Sequence, residues 1–427
     1  MKKRSYHFIK GKTATGYNTQ EVHIESEDTF PEELILLALP ISMLDEMDQI
    51  LPTYHLKADT AYFYEQCREV ISAPEKHVNE KGEGSLTFQS YFHNFPDSLK
   101  HVNNRAIVVV AIHPKTTDTS GLRDYWVVHY GHANVFDFMN AEGQKEEGFY
   151  YNVLRVSERT EDGQKIYRRR KIFTLIFSIF HSLVEVYGVH YAYAAMGKQN
   201  EGIVTALKQN SEKYNKQFEI FPMRANTQVN RLFGSSSADK KLEVITQNMD
   251  ALRTMYDVYI AQKKNYIFQA LYSFEAFLEV IQNVKKYSKS SEVYRVEKEG
   301  KVAYGLAVNY GDYFQMTLQN PKGFFKFVAS LKLTDNLLYP MLLCGDTEAM
   351  KPLLKGMAYR YQKLHKCHIS ILNSYAGDPF AAQKKAVIFD DMQFFVITDV
   401  PALHQKNKAN SALGDVNERY FIDNVIL

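Results

Sequence analysis

At 427 residues the chain exceeds the size at which one hydrophobic core usually stops growing, so two domains are the default. A hydrophobic share of 45%, a charged share of 23% and a net charge of +2 describe an ordinary globular composition and exclude whole-molecule attraction for nucleic acid. Cys67, Cys344 and Cys367 form an odd set without framework spacing, which speaks against a disulfide-stapled scaffold and favours a reducing compartment.

The chain opens on Met1-Lys2-Lys3-Arg4, but Ser5 to Asn18 is polar and supplies no apolar run for a secretory leader. Residues 1–60 read as polar segments with one amphipathic run, Glu32 to Leu51, where Pro40 and Pro52 limit any helix. A helix is expected from Asp59 through Ile71. Strands are expected over Arg105 to Ile112, over Tyr125 to Tyr130 after the turn Asp118-Thr-Ser-Gly121, and over Phe149 to Val156. The clearest segment is Lys171 to Tyr187, nearly all apolar and interrupted by His181 and Glu185. It is too short and too interrupted to span a bilayer, and reads as a helix buried on most sides, closed by Gly188. A strand over Val189 to Met196, a helix over Glu201 to Tyr214 and a strand over Phe218 to Pro222 complete the first lobe, residues 1–225.

Residues 226–262 read as a linker, with Gly234-Ser-Ser-Ser237 followed by a long helix from Ala238. The second lobe, residues 263–427, repeats the order of elements. A hairpin forms around Glu299-Gly300, strands cover Tyr313 to Leu318 and Leu338 to Cys344, and a helix runs from Asp346 to about His365. Strands over Cys367 to Leu372 and Met392 to Ile397 follow, with a short helix to Val387 between them. Strands alternating with helices in both halves favour an α/β fold of mixed sheet.

The stretch Tyr150 to Pro222 resembles the cofactor-binding core of the GNAT acyl-CoA N-acyltransferases. The resemblance is carried by the strand Phe149 to Val156, the basic loop Gln164-Lys-Ile-Tyr-Arg-Arg-Arg-Lys171, the apolar helix, and the strand Tyr191 to Met196 followed by Asn200. Leu338 to Thr398 resembles the same core more distantly, so the resemblance implies two successive GNAT-like lobes. It further implies acyl-CoA or CoA as cosubstrate, held by Gln164, Arg168, Arg169, Arg170, Lys171 and Asn200. Glu158 lies near where the family often places a general base, and Tyr214 and Tyr193 are candidate acids no better placed than the other tyrosines. The chain departs from the pattern at Tyr167 and Arg169, where the phosphate loop has small residues, and at Leu207 and Lys208, where a tyrosine is usual.

Arg168 to Lys171 place cations at a helix N-terminus, against its dipole, and bound phosphate would reverse that penalty. The second lobe begins its helix with Asp346-Thr347-Glu348, which reads as a self-capping acidic start unsuited to phosphate. His129 and His132 are an odd number of residues apart, on opposite faces of a strand, and are not expected to share a metal. His365, Cys367 and His368 are too close together to wrap zinc. The sequence leads to the expectation of an acyl-CoA-dependent N-acyltransferase acting on a small-molecule or peptide amine in the cytoplasm. It has no metal, no nucleic-acid partner and no membrane span, and a protein partner stays open. The alternative is a non-catalytic relative that kept the fold as a binding scaffold.

Overall fold

The computed structural model describes residues 2–26, 33–72, 75–77, 86–93, 95–97, 105–115, 121–139, 145–156, 160–161, 164–165, 169–197, 201–213, 215–229, 241–263, 271–319, 326, 330, 332, 335–375 and 388–398. The chain opens with a hairpin that the sequence pattern does not announce. β1 (Lys2–Thr13) and β2 (Gly16–Ser26) pair antiparallel, and Ile24 is the one fully buried side chain described on β2. Alternation is therefore weak on β2. The run expected as one amphipathic segment divides in two. Its first part is β3 (Ile35–Pro40), a buried ladder strand, and its second is a chain of helical turns, Ile41–Glu46, α1 (Met47–Ile50) and Leu51–Tyr54.

α2 (Thr60–Ile71) starts where expected, because the Asp59 carboxylate accepts the Tyr62 N–H at 2.9 Å. β4 (Glu75–His77) and β5 (Leu86–Phe92) follow, then β6 (Ile107–Pro114), buried along its whole length. β7 (Tyr125–Met139) continues well past the expected end at Tyr130, and β8 (Lys145–Val156) pairs with it. A small hairpin, β9 (Thr160–Glu161) and β10 (Gln164–Lys165), precedes α3 (Arg169–Tyr187). Gly188 closes that helix at φ +66°. β11 (Tyr191–Gly197), α4 (Glu201–Lys213) and β12 (Gln217–Val229) come next, and β12 runs across the expected boundary at residue 225.

In the second half, β13 (Glu243–Val244) leads to α5 (Met249–Lys263). This helix starts later than expected because the Asn248 side chain accepts the Ala251 N–H at 3.1 Å. α6 (Phe274–Tyr287) is an additional helix, capped by Ser273. β14 (Glu292–Lys298) and β15 (Lys301–Asn309) form the expected hairpin, with Glu299 and Gly300 both at positive φ. β16 (Phe314–Gln319), β17 (Leu337–Gly345), α7 (Thr347–His365), β18 (Ile369–Tyr375) and β19 (Ile388–Thr398) complete the described chain. The short helix expected before Val387 lies outside the described residues.

The mixed α/β class is as expected, but the halves do not carry separate sheets. One sheet of 14 strands runs through both, in the order β2-β1-β3-β6-β7-β8-β11-β19-β12-β18-β17-β15-β14-β13. At its centre the halves exchange strands. β19, from the end of the second half, inserts between β11 and β12 of the first, and β12 inserts between β18 and β19. A separate three-stranded sheet also joins the halves, since β5 pairs with β16.

Register fixes which helices share a face. Phe218 packs on the core beneath α3, and an even number of residues further along β12 Asn226 pairs with Leu372 of the core beneath α7. α3 and α7 therefore lie on one face of the sheet. α2 covers the other face in the first half, and α5 and α6 cover it in the second. In α3, Leu175, Phe177 and Phe180 have no exposure and Val184 only 5%, so the apolar run is core, as expected. Among the described residues no helix is long and apolar enough to cross a membrane.

Candidate functional site

Of the three parallel pairs described in the sheet, the two whose strands are joined through a long helix, β8 with β11 and β17 with β18, part after a short ladder. β8 and β11 pair only at Gly148, Phe149 and Tyr150 with Tyr191, Ala192 and Tyr193. Beyond that rung β8 continues to Val156 against β7 alone, while β11 continues to Gly197 against β19. Among the described residues no strand pairs with the backbone edges that face each other across this splay. β17 and β18 repeat the arrangement, pairing at Leu337 and Leu338 with Ile369 and Ser370 before parting. In open α/β sheets, the carboxyl ends of parallel strands at such a divergence are where ligands settle.

The helix between each pair of parallel strands begins at the end where the splay opens, because it must return the chain to start the next strand. The two helix starts differ in charge. The first turn of α3 holds Arg169, Arg170 and Lys171 and no acidic residue. The start of α7 is filled by its own side chains. The Asp346 carboxylate accepts the Val302 N–H at 2.9 Å, so it does not cap the helix as the sequence suggests, and Glu348 pairs with Lys301. Gly345 brings this corner into close contact: its φ is +113°, and a Cβ there would lie 2.3 Å from the Val302 carbonyl oxygen. The Gln262 amide bonds both the N–H and the C=O of Gly345, at 2.8 Å each, closing the corner from α5.

Of the residues selected from the sequence, Glu158, Arg168, Asn200 and Tyr214 lie outside the described residues. Gln164 is in β10, opposite Glu161, and Arg169, Arg170 and Lys171 open α3. Their backbone positions are described and their side chains are not. His129 and His132 fall on opposite faces, as expected: His129 pairs with Ala111 of the α3-side core and His132 with Val108 of the α2-side core. Among the described residues no cluster of His, Cys, Asp or Glu could hold a metal.

One group escapes a sequence reading that ends β7 at Tyr130. Tyr130, His132 and Asn134 occupy alternate positions on β7, all with no exposure. The Tyr130 hydroxyl, both His132 ring nitrogens and both polar atoms of the Asn134 amide have no hydrogen-bond partner among the described residues. Each unpaired buried polar group costs about 1–3 kcal/mol. Burial lowers His132 to about 3, so its ring is neutral at ordinary pH. Elsewhere, an open depression of about 640 Å³ is lined by Thr246, Met249, Lys285 and Glu292, but Lys285 and Glu292 already pair at 2.7 Å.

The fold and the splayed parallel pairs define a mixed α/β protein with two related strand–helix–strand units joined in one sheet. The solved structures it is similar to include a conserved protein of unknown function from Enterococcus faecalis V583, a probable N-acyltransferase. That overlap has 10% identity and a TM-score of 0.37, over 92% of this chain and 72% of that one. A GCN5-related N-acetyltransferase from Sphaerobacter thermophilus is similar at 10% identity and a TM-score of 0.39, over 87% of this chain and 96% of that one. Another, from Kribbella flavida, shows 9% identity and a TM-score of 0.38, over 85% of this chain and 70% of that one. The overlaps are loose. No family model matches the sequence, and no curated protein matches it.

Proposed function

We propose that the protein is an acyl-CoA-dependent N-acyltransferase whose acyl-CoA site is the splay between β8 and β11. The observation that carries this reading is the contrast between the two splays. Only at the first does a helix open on Arg169, Arg170 and Lys171, and cations there complement phosphate where free N–H groups also face it. At the second, Asp346 and Glu348 would repel phosphate and are already engaged. Gln164, Arg168 and Asn200 complete the phosphate contacts in this reading.

The reaction is direct transfer. The neutral amine attacks the thioester carbonyl carbon, a C–N bond forms, the C–S bond breaks and the thiolate leaves with CoA. Glu158 or water takes the amine proton, and Tyr214 returns a proton to the leaving sulfur. A second reading, a binding scaffold without turnover, is favoured by Tyr167 and Arg169, whose bulk hinders close approach of a pyrophosphate to the loop backbone.

Calorimetric titration of CoA at two salt concentrations tests the first reading. Wild type should bind with an affinity that falls as salt rises. The double variant Arg169→Ser, Arg170→Ser should bind more weakly and with a flatter salt dependence. No heat of binding at millimolar CoA would leave the scaffold reading in its place. Unchanged binding in the double variant would move the site away from α3.

A further inference from the structure

The polar stripe on β7 has no part in the steps above, yet it lies beside the first splay. Tyr130, His132 and Asn134 share the face that carries α2, opposite the face packed by α3. At the usual rise, alternate residues are ~7 Å apart, so the stripe is ~14 Å long. Asn134 pairs with Tyr150, the last residue of β8 that also pairs with β11. His132 pairs with Asn152, beyond that rung, where β8 has lost its neighbour. The stripe thus runs level with the mouth of the splay, one strand away from it. Side chains of α3 pack the opposite face and those of α2 cover this one, so an acceptor reaches the stripe only by displacing side chains that cover it.

The chemistry of the stripe selects its ligand. A neutral imidazole has one donor and one acceptor, the carboxamide has both, and the tyrosine hydroxyl has both. Val108 flanks His132 and Tyr150 flanks Asn134, and neither carries a charge, whereas Arg155 stands opposite Tyr130 at the other end of the stripe. An ammonium or carboxylate brought to the His132 and Asn134 end would lose its hydration without an adjacent counter-charge, whereas an uncharged amide or hydroxyl would meet donors and acceptors that have no partner among the described residues. We propose that Tyr130, His132 and Asn134 form the acceptor subsite, binding an uncharged amide or hydroxyl group next to the reacting amine. This rests on the acyltransferase reading. Binding displaces the side chains that cover the stripe, of which Phe95, edge-on to Tyr130 at 5.4 Å, is one.

Two measurements test it. The first needs no ligand: Tyr130→Phe and Asn134→Leu remove polar atoms and keep volume, so the thermal midpoint should hold or rise. A fall of several degrees in both variants would mean that the groups are already satisfied inside the fold, and the proposal would fail. The second compares acetyl transfer from acetyl-CoA to glycinamide and to ethylamine. The glycinamide-to-ethylamine ratio of kcat/KM should drop about tenfold or more in Asn134→Leu, the range a lost hydrogen-bonding site gives. Comparing ratios between proteins cancels the different basicity of the two amines. An unchanged ratio, or acetyl-CoA binding without turnover of glycinamide, overturns the subsite and leaves the acyl-CoA site standing. Absence of acetyl-CoA binding sinks the underlying reading instead.

Discussion

His129, His132 and His181 are all buried, and burial lowers their pKa to about 3, about 3 and about 4; for His181 nearby Lys216 adds to the effect. In the unfolded chain each returns to its usual value near 6.5, so the unfolded state binds more protons between roughly pH 4 and 6.5. Stability should therefore be flat above pH 7 and fall as acid is added through that window, by roughly 2 kcal/mol per histidine between pH 7 and 5. Denaturant unfolding at several pH values checks this, and His132→Leu should remove one histidine's share of the slope. Phe177, at no exposure in the core beneath α3, gives the sharpest packing test: Phe177→Ala should cost about 3–5 kcal/mol. A denaturation midpoint that does not move would mean that this face of α3 is not packed.

At the scale of elements, the corner between β17 and α7 is the most constrained. A side chain at Gly345 would meet backbone atoms of Val302 and Ala303, which cannot swing away, and its φ of +113° disfavours any residue with a Cβ. Gly345→Ala should cost at least ~2 kcal/mol and should loosen the hairpin of β14 and β15, seen as faster amide exchange there. α3, α7, their following strands and the Glu299-Gly300 turn were legible in the sequence, because each is written in a local signal: an apolar run, a glycine, a capping residue. α6 carries one too, Phe274, Phe277, Leu278 and Ile281 at helical spacing behind Ser273. The hairpin of β1 and β2 was hidden because β2 buries only Ile24 and the buried alternation of β1 includes the charged Arg4 beside Tyr6 and Phe8. The basic turn at the start of α3 was readable, but the polar stripe was not. Two polar residues inside an apolar strand look like interruptions until the register shows them side by side on a buried face.

At the scale of the whole molecule, the pairing of β19 with β11 and β12 could not be read from any local pattern, since it joins segments far apart in sequence through packing alone. It predicts that the halves do not stand apart. A chain ending at residue 387 lacks β19, leaves the edges of β11 and β12 open, and should lose protected amides in both halves. Adding residues 388–427 as a separate peptide should restore them. Full protection of the first half without β19 would show that the exchange is decorative.

The same exchange sets an order on synthesis. β11 and β12 leave the ribosome well before β19, which begins about 160 residues after β12 ends. At the usual pace of about 5–20 residues per second, the first half waits roughly 8–30 s with a gap in the middle of its sheet. During that time β11 and β12 present two bare edges spaced for an incoming strand. A nascent chain stalled before residue 388 should therefore be a preferred client of chaperones that hold extended segments, and that preference should vanish once β19 has emerged.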